Sequence, residues 1–332
     1  MTASLVVQTS FLGDMVLTTP LLAYLAERGA VDVVCTPAAA ALLANHPAVR
    51  ETIVYDKRGR DRGVRGLLRL AARLRRNRYD VAYHAQGSAR SGALTAAARI
   101  PERVGFATSA GRMFYTTRVA PIENMHHAAR LLSLGTRRPE ADVPRDVLRP
   151  RLFPGAAERA AVDSVLAGRR NEKTLIGLAP GSVWATKRWP FYGELATLLA
   201  PHAQLVAIGG PADAALAGEV LAAAPDAIDT TGKLSLLASA ELIGRCAVVI
   251  TNDSSPLHLA SAMNTPTVAI FGPTVPEFGF GPLADRTAVA GEATLACRPC
   301  DRHGPQRCPL GHWRCMRDLA PARIAALAHS LV

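Results

Sequence analysis

Short apolar runs that alternate with helical segments constrain the fold of this chain more than any other feature. One such unit extends from Ile250 to Thr274 and reads ITNDSSPLHLASAMNTPTVAIFGPT. An apolar β-branched run ends at Ile250, Pro256 follows two serines at the start of a helical segment, and a second apolar run from Thr267 ends in a Gly-Pro pair. The pattern predicts a strand, a helix with a serine at its N-cap and Pro256 in its first position, and a second strand.

The same alternation occurs twice along the chain. It begins at Ser4 and begins again at Thr174, after a proline-rich, charged stretch from Arg137 to Arg151. We expect the hinge in this stretch or in the short helix after it. Alternation of this kind predicts parallel sheets covered by helices, and 332 residues suit two domains of roughly 150 residues. We therefore predict an α/β protein with two Rossmann-like, doubly wound domains, residues 1–160 and 161–332, facing a central cleft at the carboxyl edges of their sheets.

The composition limits the partners without choosing among them. The formal net charge is +11, and a basic surface attracts the phosphates of nucleic acids, lipid headgroups and nucleotides. The first residues lead directly into an apolar strand without the features of a signal peptide, and nowhere do about 18 apolar residues run together. We expect a cytoplasmic protein that does not span a membrane. Without a secretion signal, the six cysteines argue against a disulfide framework.

The turn after the first strand, TSFLGD, contains Ser10, Gly13 and Asp14 at the predicted carboxyl edge of the first sheet. Asp14 either caps the helix that follows or acts as a general base that removes the proton of an attacking sugar hydroxyl. The two roles do not exclude each other.

The loop PGSVWATKRWP, from Pro180 to Pro190, follows a strand of the second half. Gly181 allows a tight turn, and Lys187 and Arg188 place two cations at the carboxyl edge. These cations could hold a diphosphate and neutralise its charge as it leaves. The alternative is a solvated pair before a helix.

The predicted N-terminus in the Ile250 to Thr274 unit suits a phosphate, because the free N–H groups of its first turn point at the sheet edge. Asp253 would repel phosphate but can accept hydrogen bonds from a sugar or ribose hydroxyl. Asp253, Ser254, Ser255 and His258 all lie at this edge. The alternatives are an ordinary structural crossover and a histidine that only packs.

Ten basic residues and one acid lie between Lys57 and Arg78. Four of the arginines fall on one face of a predicted amphipathic helix: Arg65, Arg69, Arg73 and Arg76. This face is either a solvated surface or a contact with anionic headgroups. The stretch lacks the interleaved aromatic residues on which single-strand binders stack bases, which counts against nucleic acid.

Four cysteines crowd near the C-terminus in CRPCDRHGPQRCPLGHWRC. They could form a tetrahedral zinc site, but the second pair is separated by six residues, outside the usual zinc-ribbon pattern, and the alternative is a thiol-rich structural loop. The four residues are Cys297, Cys300, Cys308 and Cys315. Cys35 and Cys246 lie in or beside predicted buried elements and are expected to be core thiols.

The ordered set of motifs resembles the ADP-heptose:lipopolysaccharide heptosyltransferases, glycosyltransferase family 9, and within it the heptosyltransferase II branch. The matching segments are spread over essentially the whole chain: TSFLGDMVLTTPLL, QGSARS, RVGF, PGSVWATKRWP, GKLSLLASAELIGRC, TNDSSPLHLASAMNTPTVAIFGPT and the CxPC to CPLGHWRC segment. The resemblance implies a GT-B architecture and an inverting transfer of L-glycero-D-manno-heptose from ADP-heptose to the inner core of lipopolysaccharide. The rival hypotheses are a transferase of the same fold that uses another nucleotide sugar, and a non-enzymatic nucleotide- or nucleic-acid-binding module.

The resemblance also assigns residues. Asp14 and Lys187 are the implied catalytic residues, and the acceptor is expected at Ser10, Gly13, Gln86 and Ser88. The donor is expected at Ser182, Lys187, Arg188, Asp253, Ser254, Ser255 and His258. Two positions depart from the family pattern: Ser255 replaces a common glycine, and Phe11 replaces a small residue.

The implied partners are an ADP-sugar donor, a phosphorylated lipid A/Kdo/heptose acceptor and the cytoplasmic membrane surface, with no nucleic acid. No cofactor is required in this scheme, because cationic side chains and a helix terminus carry the leaving-group charge. Zinc at the cysteine cluster is left open. The expected location is peripheral, on the cytoplasmic face of the inner membrane.

Overall fold

A computed structural model describes residues 2–122, 124–138 and 142–332. The chain divides into two compact units, Met1–Phe153 and Pro154–Val332. The expected boundary at residue 160 falls inside the first helix of the second unit. Residues 139–141 of the proline-rich stretch, within the predicted hinge, lie outside the described residues.

The first unit is a six-stranded parallel sheet with helices between the strands. Its strand order is β3-β2-β1-β4-β5-β6. The strands are β1 Ser4–Gln8, β2 Val31–Cys35, β3 Glu51–Val54, β4 Val81–His84, β5 Glu102–Phe106 and β6 Thr117–Val119. The helices are α1 Leu12–Ala26, α2 Pro37–Leu42, α3 Gly63–Arg76, α4 Ala89–Ala97, α5 His127–Thr136 and α6 Arg145–Leu148.

The second unit repeats this architecture, with the strand order β12-β11-β10-β7-β8-β9. Its strands are β7 Thr174–Ala179, β8 Ala203–Ala207, β9 Ile228–Asp229, β10 Val248–Asn252, β11 Thr267–Ile270 and β12 Thr287–Ala290. Its helices are α7 Ala156–Leu166, α8 Tyr192–Leu199, α9 Ala214–Ala223, α10 Leu236–Gly244, α11 Ser255–Met263, α12 Arg314–Arg317 and α13 Pro321–Leu331.

Read from β7 as its first strand, the second sheet has the same order as the first. In both sheets, the second and third strands are added on one side of the first strand, and the fourth to sixth strands are added on its other side. The order therefore reverses between the first and fourth strands. Ligands of such sheets bind in the crevice outside the carboxyl ends of these two strands. The loops after β1 and β4, and those after β7 and β10, are therefore the places to look for a site in each unit.

The central strands are buried on both faces, which explains their nearly continuous apolar sequences. All five residues of β1, of β2 and of β10 are buried. In the second unit Trp189 and Tyr192 pack edge to face, with ring centroids 5.3 Å apart, inside the core formed by β7, β10 and α13. Burying one large apolar side chain stabilises a fold by roughly 1.5–3 kcal/mol, so the buried Trp189 and Tyr192 side chains stabilise the second unit. Among the described residues, no helix has the length and apolarity needed to cross a membrane.

Candidate active site

Asp14 is the third residue of α1, and Phe11 occupies the N-cap position. The prediction that Asp14 caps this helix is therefore wrong. A carboxylate in the first turn is still favoured by the helix dipole. The side chain is about 20% exposed, so a substrate can reach it.

The two oxygens of Asp14 have different neighbours. Ser10 Oγ lies 2.6 Å from Asp14 Oδ2 and 2.7 Å from Gln8 Oε1, so its one proton serves either acceptor. His127 Nε2, on the first residue of α5, lies 3.7 Å from Asp14 Oδ1. The sequence gives no signal for this histidine, because it follows β6, far from Asp14 along the chain, and belongs to no motif.

The other residues expected to bind the acceptor lie at the same sheet edge. Gln86 Oε1, after β4, accepts hydrogen bonds from Thr9 Oγ1 at 3.3 Å and Ser91 Oγ at 2.9 Å. Ser88 is the N-cap of α4, and its hydroxyl accepts from the Ser91 N–H at 3.1 Å. Gly13 is buried in the first turn of α1. The structure thus brings Gln86 to the edge beside the Asp14 loop and uses Ser88 structurally.

Lys57 also belongs to this edge, although its sequence placed it with the basic surface. Its Nζ donates to the Thr9 carbonyl oxygen at 2.7 Å. Burial lowers the pKa of Lys57, and the charges of Arg58 and Arg90 lower it further. The first edge therefore contains a partly buried cation as well as a carboxylate.

In the second unit, Lys187 and Asp253 form a buried ion pair. Each residue is 8% exposed, and Lys187 Nζ lies 2.6 Å from Asp253 Oδ2. Thr274 Oγ1 donates to the same oxygen at 2.7 Å. The alternative of a solvated basic pair is wrong for Lys187. It is Arg188 that is exposed, with its Nε donating to the Ser182 carbonyl oxygen at 2.8 Å.

The N-terminus of α11 lies directly after Asp253. Ser254 occupies the N-cap position, but its side chain makes no capping bond, and its hydroxyl is buried without a partner among the described residues. The predicted serine therefore occupies the N-cap without making the capping bond, and Pro256 is the second helical residue, after Ser255, and not the first as expected. A buried hydroxyl without a partner at a helix N-terminus suits a ligand that supplies the missing hydrogen bond. His258 is buried in the same helix, its ring 6.2 Å from that of Phe280.

Two contacts fix the loop from Pro180 to Trp189. Asn252, at the end of β10, donates from Nδ2 to the Pro180 carbonyl oxygen at 2.8 Å and accepts from the Trp189 N–H at 3.3 Å. At Gly181, a Cβ would lie 2.4 Å from the carboxyl group of Asp213. Glycine at this position leaves room for the Asp213 carboxyl group, which would otherwise have to shift.

The cysteine-rich segment from Cys297 to Cys315 also supports this loop. Gln306 accepts from the Ala185 N–H and donates to the Val183 carbonyl oxygen, both at 3.1 Å, and Thr186 Oγ1 donates to the Pro305 carbonyl oxygen. Gly304 has a φ of +87°, and a Cβ there would lie 3.2 Å from Lys187 Cε. The segment thus holds both the backbone before Lys187 and its side-chain stem.

The same segment supports the loop that carries Thr274. Arg298 Nη2 donates to the carbonyl oxygens of Phe271 and Thr274, each at 3.0 Å, and its Nε donates to that of Gly272. One arginine therefore ties down the backbone at the end of β11. Both partners of Asp253, Lys187 and Thr274, depend on this one segment.

All six cysteines are free thiols. Burial raises the pKa of Cys35 and of Cys246 to about 12, as expected of core thiols. Burial opposes ionisation of Cys308, but backbone N–H groups of residues 310–313 outweigh it and lower the pKa of that thiol. Within residues 2–122, 124–138 and 142–332, no group of three or more His, Cys, Asp or Glu side chains is placed to hold a metal ion, the four clustered cysteines included.

The four arginines predicted on one face of α3 are all exposed. Arg73 lies 2.6 Å from Glu51 and Arg69 lies 4.0 Å from Asp61. Leu70, Ala71 and Leu74 face the core, as the helical pattern predicted. Arg65 and Arg76 form no ion pair within the part of the chain that the structure describes.

Two Rossmann-like units in one chain, each with polar residues at its switch point, form the GT-B architecture that solved heptosyltransferase structures share. The model of glycosyltransferase family 9 (heptosyltransferase) matches residues 67–311. The chain belongs to this family and is a glycosyltransferase. The alternative of a non-enzymatic binding module is set aside by this membership.

Similar proteins match along most or all of the chain. Lipopolysaccharide heptosyltransferase 2 of Salmonella typhimurium is 29% identical, covering 99% of this chain and 98% of that protein. The Escherichia coli protein of the same name is 30% identical over 86% of each chain. The solved structure of E. coli ADP-heptose lps heptosyltransferase II superimposes with a TM-score of 0.82 at 26% identity, covering 100% of this chain and 98% of that one.

Proposed function

We propose that this protein transfers L-glycero-D-manno-heptose from ADP-heptose to the inner core of lipopolysaccharide, with inversion at the anomeric carbon. The names of the full-length relatives support the substrates. The observation that carries the chemistry is the buried Lys187 beside the unbonded Ser254 hydroxyl at the N-terminus of α11. A cation, a helix dipole and a free hydroxyl together suit the diphosphate of a leaving nucleotide.

In this scheme the second unit holds the donor. Lys187 neutralises the charge that develops on ADP, and the N-terminus of α11 receives a phosphate. Asp253, which pairs with Lys187, accepts a hydrogen bond from a donor hydroxyl once Lys187 turns to the diphosphate. Ser182, Arg188, Ser255 and His258 complete the proposed donor site.

The first unit holds the acceptor, with Ser10, Gly13, Gln86 and Ser88 around Asp14. Asp14 takes the proton of the acceptor hydroxyl as its oxygen attacks the anomeric carbon from the face opposite ADP. The bond from that carbon to the diphosphate oxygen breaks, and ADP leaves with the electron pair. No metal ion is needed, because Lys187, Arg188 and the helix dipole supply the positive charge.

The acceptor is a phosphorylated glycolipid in this proposal, so the enzyme works at the cytoplasmic face of the inner membrane. The exposed arginines of α3, Arg65, Arg69, Arg73 and Arg76, support a location beside anionic headgroups.

The test is transfer by the purified protein from ADP-heptose to heptose-deficient lipopolysaccharide, with ADP-glucose, UDP-glucose and GDP-mannose as comparison donors. We expect one heptose per acceptor, with an anomeric configuration opposite to that of the donor by NMR. Faster transfer from another nucleotide sugar would replace the proposed donor. Retained configuration would exclude the single displacement.

A further inference from the structure

A groove of about 600 Å³ lies between α3 and α4 of the first unit. Its floor is apolar and one end is basic. The apolar residues are Leu68, Ala71, Ala72 and Ala97, and the basic ones are Arg75, Arg76 and Arg78. A second hollow of about 340 Å³ shares Arg75 and Arg78 and adds Arg99.

Arg78 and Arg99 have left-handed backbone conformations, with φ of 51° and 58°. They follow the C-terminal ends of α3 and α4, positions at which glycine is usual because a Cβ there is costly. Arg137 has the same conformation after α5, but it forms an ion pair with Glu102 at 2.7 Å. In the described part of the chain, neither Arg78 nor Arg99 has an acidic partner. Two unpaired arginines at costly positions beside one groove point to a ligand.

The exposed apolar residues of α3 continue the floor of the groove. Val64 is 72% exposed and Leu68 is 54% exposed. Together with Ala72 they recur every four residues and form one stripe along the helix. Beside this stripe lie four arginines: Arg65, Arg69, Arg73 and Arg76. At its C-terminal end the stripe reaches the arginines that line the groove. An apolar stripe bordered by arginines is typical of helices that lie in a membrane interface.

The basic end of the groove lies at the edge of the sheet opposite to the one that carries the candidate catalytic groups. Residues Arg75 to Arg78 come directly before β4, at the edge where strands begin. Asp14 and Gln86 lie where strands end. A ligand in the groove therefore takes no part in the chemistry, and its role is attachment.

We propose that this groove and stripe bind an anionic phospholipid of a bilayer. The guanidinium groups of Arg75, Arg78 and Arg99 contact the phosphate, because arginine matches its geometry, and Val64 and Leu68 enter the acyl boundary. This proposal rests on the proposed function, which places the acceptor in a membrane. It assigns the attachment to arginines that the sequence pattern alone did not single out.

The experiment measures sedimentation with vesicles of phosphatidylcholine, with and without phosphatidylglycerol, for the full-length protein. R78G/R99G removes two charges and gives glycine to two left-handed positions. We expect its affinity for the anionic vesicles to fall about 30-fold, the equivalent of about 2 kcal/mol, while its Tm rises. R169Q/R170Q makes the same charge change at two exposed positions just after α7 in the second unit and should bind like the wild type.

Equal vesicle binding by R78G/R99G and R169Q/R170Q would overturn the proposal, since only net charge would then matter. L68S should weaken binding to anionic vesicles at high salt, where apolar contacts persist, and wild-type binding by L68S would overturn the insertion of the stripe. Transfer to a soluble, deacylated acceptor separates the two proposals. R78G/R99G should retain the full rate with it, whereas a wild-type protein without any transfer would contradict the proposed function alone.

Discussion

The two switch points of this protein share a topology and differ in how their charged groups are held. In the first unit, Asp14 is about 20% exposed, with His127 at 3.7 Å. In the second, Lys187 and Asp253 are each 8% exposed and 2.6 Å apart. A partly exposed carboxylate can exchange protons with a substrate, whereas removing one partner of a buried pair leaves the other charge uncompensated, so the two stay together until a ligand replaces one of them. The same fold therefore supports a reactive edge in one half and a binding edge in the other.

The largest effect is expected from Asp14→Asn. Loss of a general base lowers kcat by about 10²–10⁴-fold, whereas loss of one partly exposed charge in the first turn of α1 should lower Tm only slightly. Transfer kinetics, calorimetric binding of ADP and thermal unfolding measure the three quantities. A normal rate would show that Asp14 is not the general base. A large loss of stability would show that Asp14, like the Lys187–Asp253 pair, is needed for folding.

Lys187→Gln tests the other edge. It leaves the carboxylate of Asp253 buried without its cation, and we expect the free energy of unfolding of the second unit to fall by about 3–5 kcal/mol, together with a loss of transfer. The double variant Lys187→Gln/Asp253→Asn should recover much of the stability and none of the activity. Denaturant unfolding measures the stabilities. If the single variant is as stable as the wild type, the Lys187–Asp253 ion pair does not contribute to the stability of the second unit.

Gly304→Ala tests the support of the lysine loop. Alanine at a φ of +87° is strained, and its Cβ would press on Lys187 Cε, so KM for the donor should rise about fivefold, the equivalent of roughly 1 kcal/mol. Gly311 is the matched control, because its φ is +72° and a Cβ there meets no atom within 4 Å. Equal effects of both substitutions would indicate general strain in the segment.

His127→Asn should lower kcat by only about 2–5-fold, since the contact with Asp14 is long and partly exposed. Transfer kinetics measure the effect. An unchanged kcat would assign His127 to packing of α5 on α1.

The smallest effect is expected from metal removal. Cationic side chains supply the charge compensation in the proposed mechanism, so transfer after dialysis against EDTA should stay within error of the untreated rate. Metal analysis of the dialysed protein is the control. Activity that falls with EDTA and returns with one divalent cation would contradict this part of the scheme.

The sequence predicted the fold well because buried parallel strands are short, apolar and regularly spaced. Strands β6 and β12, which lie at the sheet edges, do not continue this pattern. An edge strand such as Thr117–Val119 pairs on one side only and needs no apolar run. Strand β12, Thr287–Ala290, is likewise only partly buried.

The candidate site was predictable where it lies on one motif. Lys187, Asp253 and Ser254 follow strands in a recognisable pattern, and Asp14 follows the first strand. The partners of these residues were not predictable, because they come from distant parts of the chain. Three such contacts form only when the sheets bring distant segments together: Thr274 with Asp253, Gln306 with the loop before Lys187, and His127 with Asp14.

The support of the lysine loop by Pro305 and Gln306 also sets an order of assembly. These residues are synthesised after β12, the last strand of either sheet, and 119 positions separate Thr186 from Pro305. A growing chain can therefore complete every strand while the loop before Lys187 still lacks its hydrogen bonds. A chain that ends after Ala290 would contain the sequences of all twelve strands found in the described residues, but it would lack these hydrogen bonds and also α13, whose apolar residues belong to the core of the second unit.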